Sequence, residues 1–199
     1  MSTSVKPSID MAHKSVAACL SSIEIYNKPD FKYREETFSI LMINAWELML
    51  KAKILKDNAD NIDSITVFEE KPDPSGAMAR APKLSRSGNA ITYGLDYMVK
   101  QLEQRREISQ RCQKNLEALT EIRDNAVHFI NKDLHFSKKI QEIGLASLKN
   151  YIFYVKGWFS GEIDLSKYNF FLMPLSFFHD FESVETTSVS PYSEQMQRL

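Results

Sequence analysis

The chain has 199 residues, with 25 Lys and Arg against 26 Asp and Glu, for a net charge of −1. That length suits one compact domain with a flexible piece to spare, and a composition 43% hydrophobic and 26% charged excludes a disordered or fibrous chain. The balanced charge excludes a protein that coats nucleic acid indiscriminately, so any nucleic-acid contact has to be local.

Met1 to Pro7 carries one lysine and no apolar run, which does not fit a secretory leader. The longest greasy stretch, Phe38 to Leu50, is broken by Asn44 and Glu47 and is too short to span a bilayer. These features predict a cytoplasmic protein with no membrane contact. Cys19 and Cys112 sit among helix-like apolar residues and lack metal or redox spacing, so they read as reduced core thiols.

Glycine and proline are few, at 6 and 7, and mostly clustered, which predicts long helices separated by a small number of loops. The first helix should run from Asp10 to Tyr26 with Ala12, Val16, Leu20 and Ile23 on one stripe, closed by Asn27-Lys28-Pro29-Asp30. A second, Tyr33 to Asp57, has Phe38, Leu41, Met42, Ala45, Leu48, Met49 and Ala52 on one side. Ile40, Ile43, Glu47, Leu50 and Ile54 lie on the other. A helix apolar nearly all round is buried on both sides.

Periodicity is lost from Ala59 to Thr92. Ser64 to Phe68 reads as a short strand, and Lys71 to Gly88 as a loop carrying Lys71, Arg80, Lys83 and Arg86. Ala90 to Tyr93 is a second short strand or the approach to a short helix, Gly94 to Glu103. Dispersed cations in such a loop are able to bind phosphates, which makes Arg80, Lys83 and Arg86, with Lys51 from the second helix, candidate RNA contacts.

The next helix, Ile108 to Ile130, has an inner stripe of Cys112, Leu116, Leu119, Arg123, Ala126, Val127 and Ile130. After Asn131-Lys132-Asp133, a last long helix spans Phe136 to Phe159, with Tyr151, Tyr154 and Trp158 read as core. Residues 161–181, aromatic and interrupted by Pro174, read as an extended segment, and 182–199 as a disordered tail. The predicted fold is therefore an all-α bundle of four long helices and one short one over residues 10–160. A loop or small β-hairpin is inserted at 59–92.

The chemistry concentrates in Arg123-Asp124-Asn125-Ala126-Val127-His128. An arginine in a core stripe keeps its charge and needs an acidic partner, for which Glu47 is the leading internal candidate. Asp124 and His128 are four apart, so the carboxylate can orient the imidazole. Arg123 and His128 are five apart, about 140° around an ideal helix, so one regular helix does not aim both at one atom. A frayed helix end, or a cleft between two copies of the helix, would bring them together. His13, His128, His135 and His179 are too scattered for a metal site, and Ser75-Gly76 and Ser87-Gly88 are not a phosphate loop, so neither metal nor cofactor is predicted. Read from spacing alone, Arg123 better suits a structural salt bridge, and His128 an ordinary residue near a helix C-terminus.

Arginine, a polar residue, then histidine after four intervening positions resembles the signature of the HEPN superfamily (higher eukaryote and prokaryote nucleotide-binding). The earlier helix, with Asn44-Ala45-Trp46-Glu47-Leu48-Met49-Leu50-Lys51-Ala52, is similar to a Glu- and Lys-bearing HEPN helix. Lys14 through Ile54, including Ile25 to Phe38, resembles a prokaryotic HEPN family catalogued as a domain of unknown function, over about residues 10 to 160. The resemblance implies a homodimer with adjacent motif helices and a composite cleft that cuts RNA without metal, leaving 2′,3′-cyclic phosphate. His128 would be the general acid or base, Arg123 the phosphate ligand, Asp124 the orienting group, and Asn125 a phosphate or helix-end contact. It further implies a toxin or phage-defence role restrained by an antitoxin or regulatory partner. The alternative is a non-catalytic dimeric HEPN module that binds a partner, nucleotide or RNA.

Overall fold

A computed structural model describes residues 5–28, 30–72, 76–128 and 134–168, with the backbone alone for 126–128 and 134–141. It is mostly helical: α1 (Pro7–Tyr26), α2 (Arg34–Asp57), α3 (Leu95–Gln104), α4 (Gln110–His128) and α5 (Leu134–Phe159). Between α2 and α3 lie a 3-10 turn, Ile62–Ile65, and the strands β1 (Phe68–Pro72) and β2 (Met78–Pro82). A second 3-10 turn, Leu165–Lys167, follows α5. No described helix is long and apolar enough to cross a membrane.

The apolar surface of α2 runs nearly all round, which is why it occupies the centre, packed on α1, α3, α4 and α5. Phe38, Met42, Ala45, Trp46, Met49 and Leu50 are all within 1% of complete burial. Each large side chain so buried contributes roughly 1.5–3 kcal/mol. α1 meets α2 through small residues, Ser8, Ala12, Ser15, Cys19 and Ser22, all buried, which allow the two backbones to come close.

The buried polar groups on this seam are bonded, as burial demands. Ser15 Oγ donates to the Ala45 carbonyl at 2.6 Å, so the Tyr151 hydroxyl, also 2.6 Å away, donates to Ser15. Trp46 Nε1 donates to Ser147 Oγ at 2.8 Å, joining α2 to α5. Cys19 and Cys112 are free buried thiols. Burial raises both, and Cys112 is pushed up to about 12.

The first two helices start within a few residues of their expected positions, on the strength of their apolar periodicity, since neither carries a side-chain cap of its own at its N-terminus. At α4, Ser109 Oγ accepts from the Cys112 N–H at 3.2 Å, an N-cap that sets the start two residues after Ile108. The expected Ser64 to Phe68 strand is corrected: Asn61 Oδ1 accepts from the Asp63 N–H and turns the chain into a 3-10 coil, and the strand begins only at Phe68. Within the expected Lys71 to Gly88 loop, Met78–Pro82 pairs antiparallel with Phe68–Pro72.

Three segments then close on one another at the base of this hairpin. Lys83 N–H donates to Val67 O, Val67 N–H to Ile91 O and Ile91 N–H to Lys83 O, at 2.7 to 2.8 Å. Among the described residues neither β1 nor β2 has a helix as a major neighbour, so the hairpin projects from the described bundle as an arm. After α5, Ile163 and Leu165 are buried, so the beginning of the expected extended segment turns back onto the core. The aromatic stretch from Asn169 onward and the expected disordered tail lie outside the described residues.

Candidate functional site

Arg123, Asp124 and Asn125 occupy the last turns of α4, which stays helical through His128. Ser109 at its start and the buried residues Cys112, Asn115, Leu116, Leu119 and Ile122 lock the helix against α2 and α5. Ile122 rather than Arg123 is the buried residue at this level. The Arg123 side chain is 34% exposed, with Nε donating to Asp124 Oδ1 at 2.9 Å. Among the described residues its terminal nitrogens carry no ion pair.

The expected Glu47–Arg123 pair does not form. Glu47 Oε1 instead accepts from Lys51 Nζ at 2.5 Å, one turn along α2. Two side chains four apart on one helix meet with little ordering cost, while an arginine one-third in water retains hydration and needs no buried counter-charge. Lys51 was expected among the RNA contacts. Its side chain is only 10% exposed and tied to Glu47, which is itself 32% exposed, so it faces no phosphate in this conformation.

Asp124 was expected to orient His128; its described contact is with Arg123. The His128 side chain lies outside the described residues, and His128 is the last residue of α4. Because α4 is regular to that point, the two positions remain about 140° apart around the axis, and a frayed helix end does not bring them together.

The other expected cations lie on the arm. Lys83 and Arg86 are exposed. Arg80, also exposed, lays its guanidinium 3.9 Å from the centre of the Phe68 ring. This contact was not foreseen, because it depends on the strand register. A groove of about 510 Å³ between α3 and α4 has Leu95, Val99 and Leu116 on its walls and Asp96, Glu103, Glu117 and Glu121 around it, with Lys100 the one cation in its lining. Its charge repels phosphate, so it is not a nucleic-acid groove.

Comparison with known proteins gives a family without an activity. The family model described as Domain of unknown function (DUF3644) matches residues 10–199, running through the C-terminal segment as well as the bundle. No curated protein and no solved structure matches the chain. With a match that covers all but the first nine residues, the chain belongs to this family of domains of unknown function.

Proposed function

We propose that the chain is a metal-independent RNA endonuclease of HEPN type, built as a homodimer whose two α4 helices form a composite cleft. The observation that carries this reading is Arg123. It sits near the C-terminal end of α4, held at Nε by Asp124, with its terminal nitrogens unpaired among the described residues and a third of its surface in water. A guanidinium anchored on one edge presents its other edge to a planar pair of phosphate oxygens. The resemblance of the Arg123 to His128 motif supplies the reaction class.

In this mechanism the ribose 2′-oxygen attacks the adjacent phosphorus, and the bond to the leaving 5′-oxygen breaks. His128 takes the 2′ proton or supplies one to the leaving oxygen, its ordinary pKa lying close to neutral. Arg123 holds the negative charge gathering on the phosphate oxygens. Asp124 keeps the guanidinium in place, a role added to its expected one toward His128, and Asn125 lies beside them in sequence. The regular course of α4 favours a cleft shared between chains, since one helix separates Arg123 from His128. A role in defence or as a toxin, with a restraining partner, completes the reading.

End-labelled tRNA and a structured mRNA incubated in EDTA test it. The wild type should cut and leave cyclic-phosphate ends. Folded, dimeric Arg123→Ala and His128→Ala chains should lose at least about two orders of magnitude in rate, the scale of a removed acid–base or charge-stabilising group. Cleavage that survives both substitutions refutes the assignment. An inert wild type whose RNA affinity also ignores Arg123 points instead to the non-catalytic module.

A further inference from the structure

The arm carries a self-complementary face. The antiparallel register sets Phe68 opposite Pro82, Glu70 opposite Arg80 and Pro72 opposite Met78. Side chains alternate along a strand, so these six residues share one side of the hairpin. The stacking of Arg80 on its diagonal neighbour Phe68 agrees with that placement. Met78 is 63% exposed, and Pro72, Arg80, Pro82 and Glu70 are exposed as well.

Two features of this face call for a partner. A lone two-stranded hairpin is marginally stable in water, and here four of the six residues on one side are apolar, with no described helix as a major neighbour of either strand. Glu70 and Arg80 stand directly across from each other, where opposite charges usually pair. Yet Arg80 turns onto Phe68, and neither charge has an ion pair among the described residues. On the other side of the hairpin, Lys71 and Glu69 do pair, at 2.6 Å.

We propose that this face docks on the same face of a second copy of the chain, Phe68, Met78 and the prolines in contact and each Glu70 against the partner's Arg80. In a two-fold contact residue i meets j and j meets i, so one acid and one base side by side give two matched ion pairs. Pro72 and Pro82 have no N–H to offer a further strand, which disfavours edge-to-edge addition and leaves the face as the contact. RNA is a poorer occupant, because Glu70 in the middle of the face repels phosphate. This contact is separate from the pairing of α4 helices in the ribonuclease reading and stands without it.

Sedimentation velocity of the full chain decides the matter. Glu70→Arg and Arg80→Glu should each weaken dimerisation by about tenfold or more, and the double exchange Glu70→Arg/Arg80→Glu should restore it. Met78→Asp should weaken it with no such rescue. Helical circular dichroism should stay unchanged in all four, which separates lost association from lost folding. A wild type that is monomeric at every concentration, a dimer indifferent to the single reversals, or a double exchange that restores nothing overturns the proposal. RNA cleavage is scored separately, and its absence does not bear on these outcomes.

Discussion

Position 144 in α5 admits no side chain. A Cβ built there would lie 2.5 Å from Phe38 Cε1 and 3.1 Å from Cζ, and the Phe38 ring is itself packed edge-on against Tyr26 at 5.4 Å in the core. Replacing glycine by alanine inside a helix ordinarily gains about 1 kcal/mol, whereas overfilling a packed core costs about 1–3 kcal/mol. With the ring confined, the second term wins: Gly144→Ala should lose about 1 kcal/mol in urea unfolding. Phe38→Leu in the same chain frees the space, so the double mutant should be more stable than the sum of the singles predicts. Equal additive losses would mean that the ring is not the obstacle. Burial of single residues also decides the place of Arg123. Arg123 was placed in the core stripe by its spacing from Leu116 and Leu119, but spacing does not say where the neighbouring helices stop covering that stripe. Ile122 took the buried place, and Arg123 kept a third of its surface in water.

Helices were the most legible elements, and connections between distant segments the least. α2 begins one residue from its expected start and ends at the expected residue because its apolar run is long and bounded by Tyr33 and Asn58. The arm was half legible: its extent was marked by lost periodicity, but β1, Phe-Glu-Glu-Lys-Pro, shows no alternation of apolar and polar residues, and none of its five residues is fully buried. The Glu47–Arg123 pair failed for a related reason, as sequence offers no measure of which of two cations a carboxylate will reach. The start of α1 was illegible for the same reason. No residue of its own caps it; Asp60, in the turn after α2, accepts from the Ser8 N–H at 2.7 Å across 52 positions. Asp60 and Ala59 both have positive φ, at 62° and 54°, which aim the carboxylate back at α1. Hydrogen bonds from Ser8 hold the Asp60 carboxyl below its ordinary range. Asp60→Ala should therefore cost about 0.5–1 kcal/mol near neutral pH, a typical cap. Because the folded pKa is depressed, the unfolded chain binds more protons in the window between the two values. The contribution is present above the unfolded value and fades as pH falls through the folded one. The gap between wild type and Asp60→Ala in thermal unfolding should narrow on acidification; a gap unchanged in acid would exclude the charged cap.

The described residues divide into a helical body and an arm, and the join between them is narrow. Ile65 and Thr66 are buried at the edge of the body, and they meet the returning chain through the Tyr93 N–H to Ile65 O bond at 2.9 Å and the antiparallel Thr66–Thr92 bridge. Beyond that bridge, among the described residues, the arm is held by its own ladder and by the three-way closure of Val67, Lys83 and Ile91. Antiparallel bridge partners lie about 4.5–5.5 Å apart at Cα, a gap that a two-residue turn spans. Joining Thr66 to Thr92 through Asn-Gly should therefore remove the arm and leave the body folded, with its helical circular dichroism intact and one cooperative unfolding transition. Loss of a hairpin that contributes little to the core should not lower the melting temperature and should raise it by a few degrees, since shortening a connection recovers closure entropy of about 0.6 kcal/mol for each halving of loop length. The excised chain should also lose the arm-mediated dimer while keeping any association made through α4, so comparing its sedimentation with the charge-exchange variants separates the two contacts. If excision unfolds the helices, the arm is part of the folding unit, and the body does not end at Thr66 and Thr92.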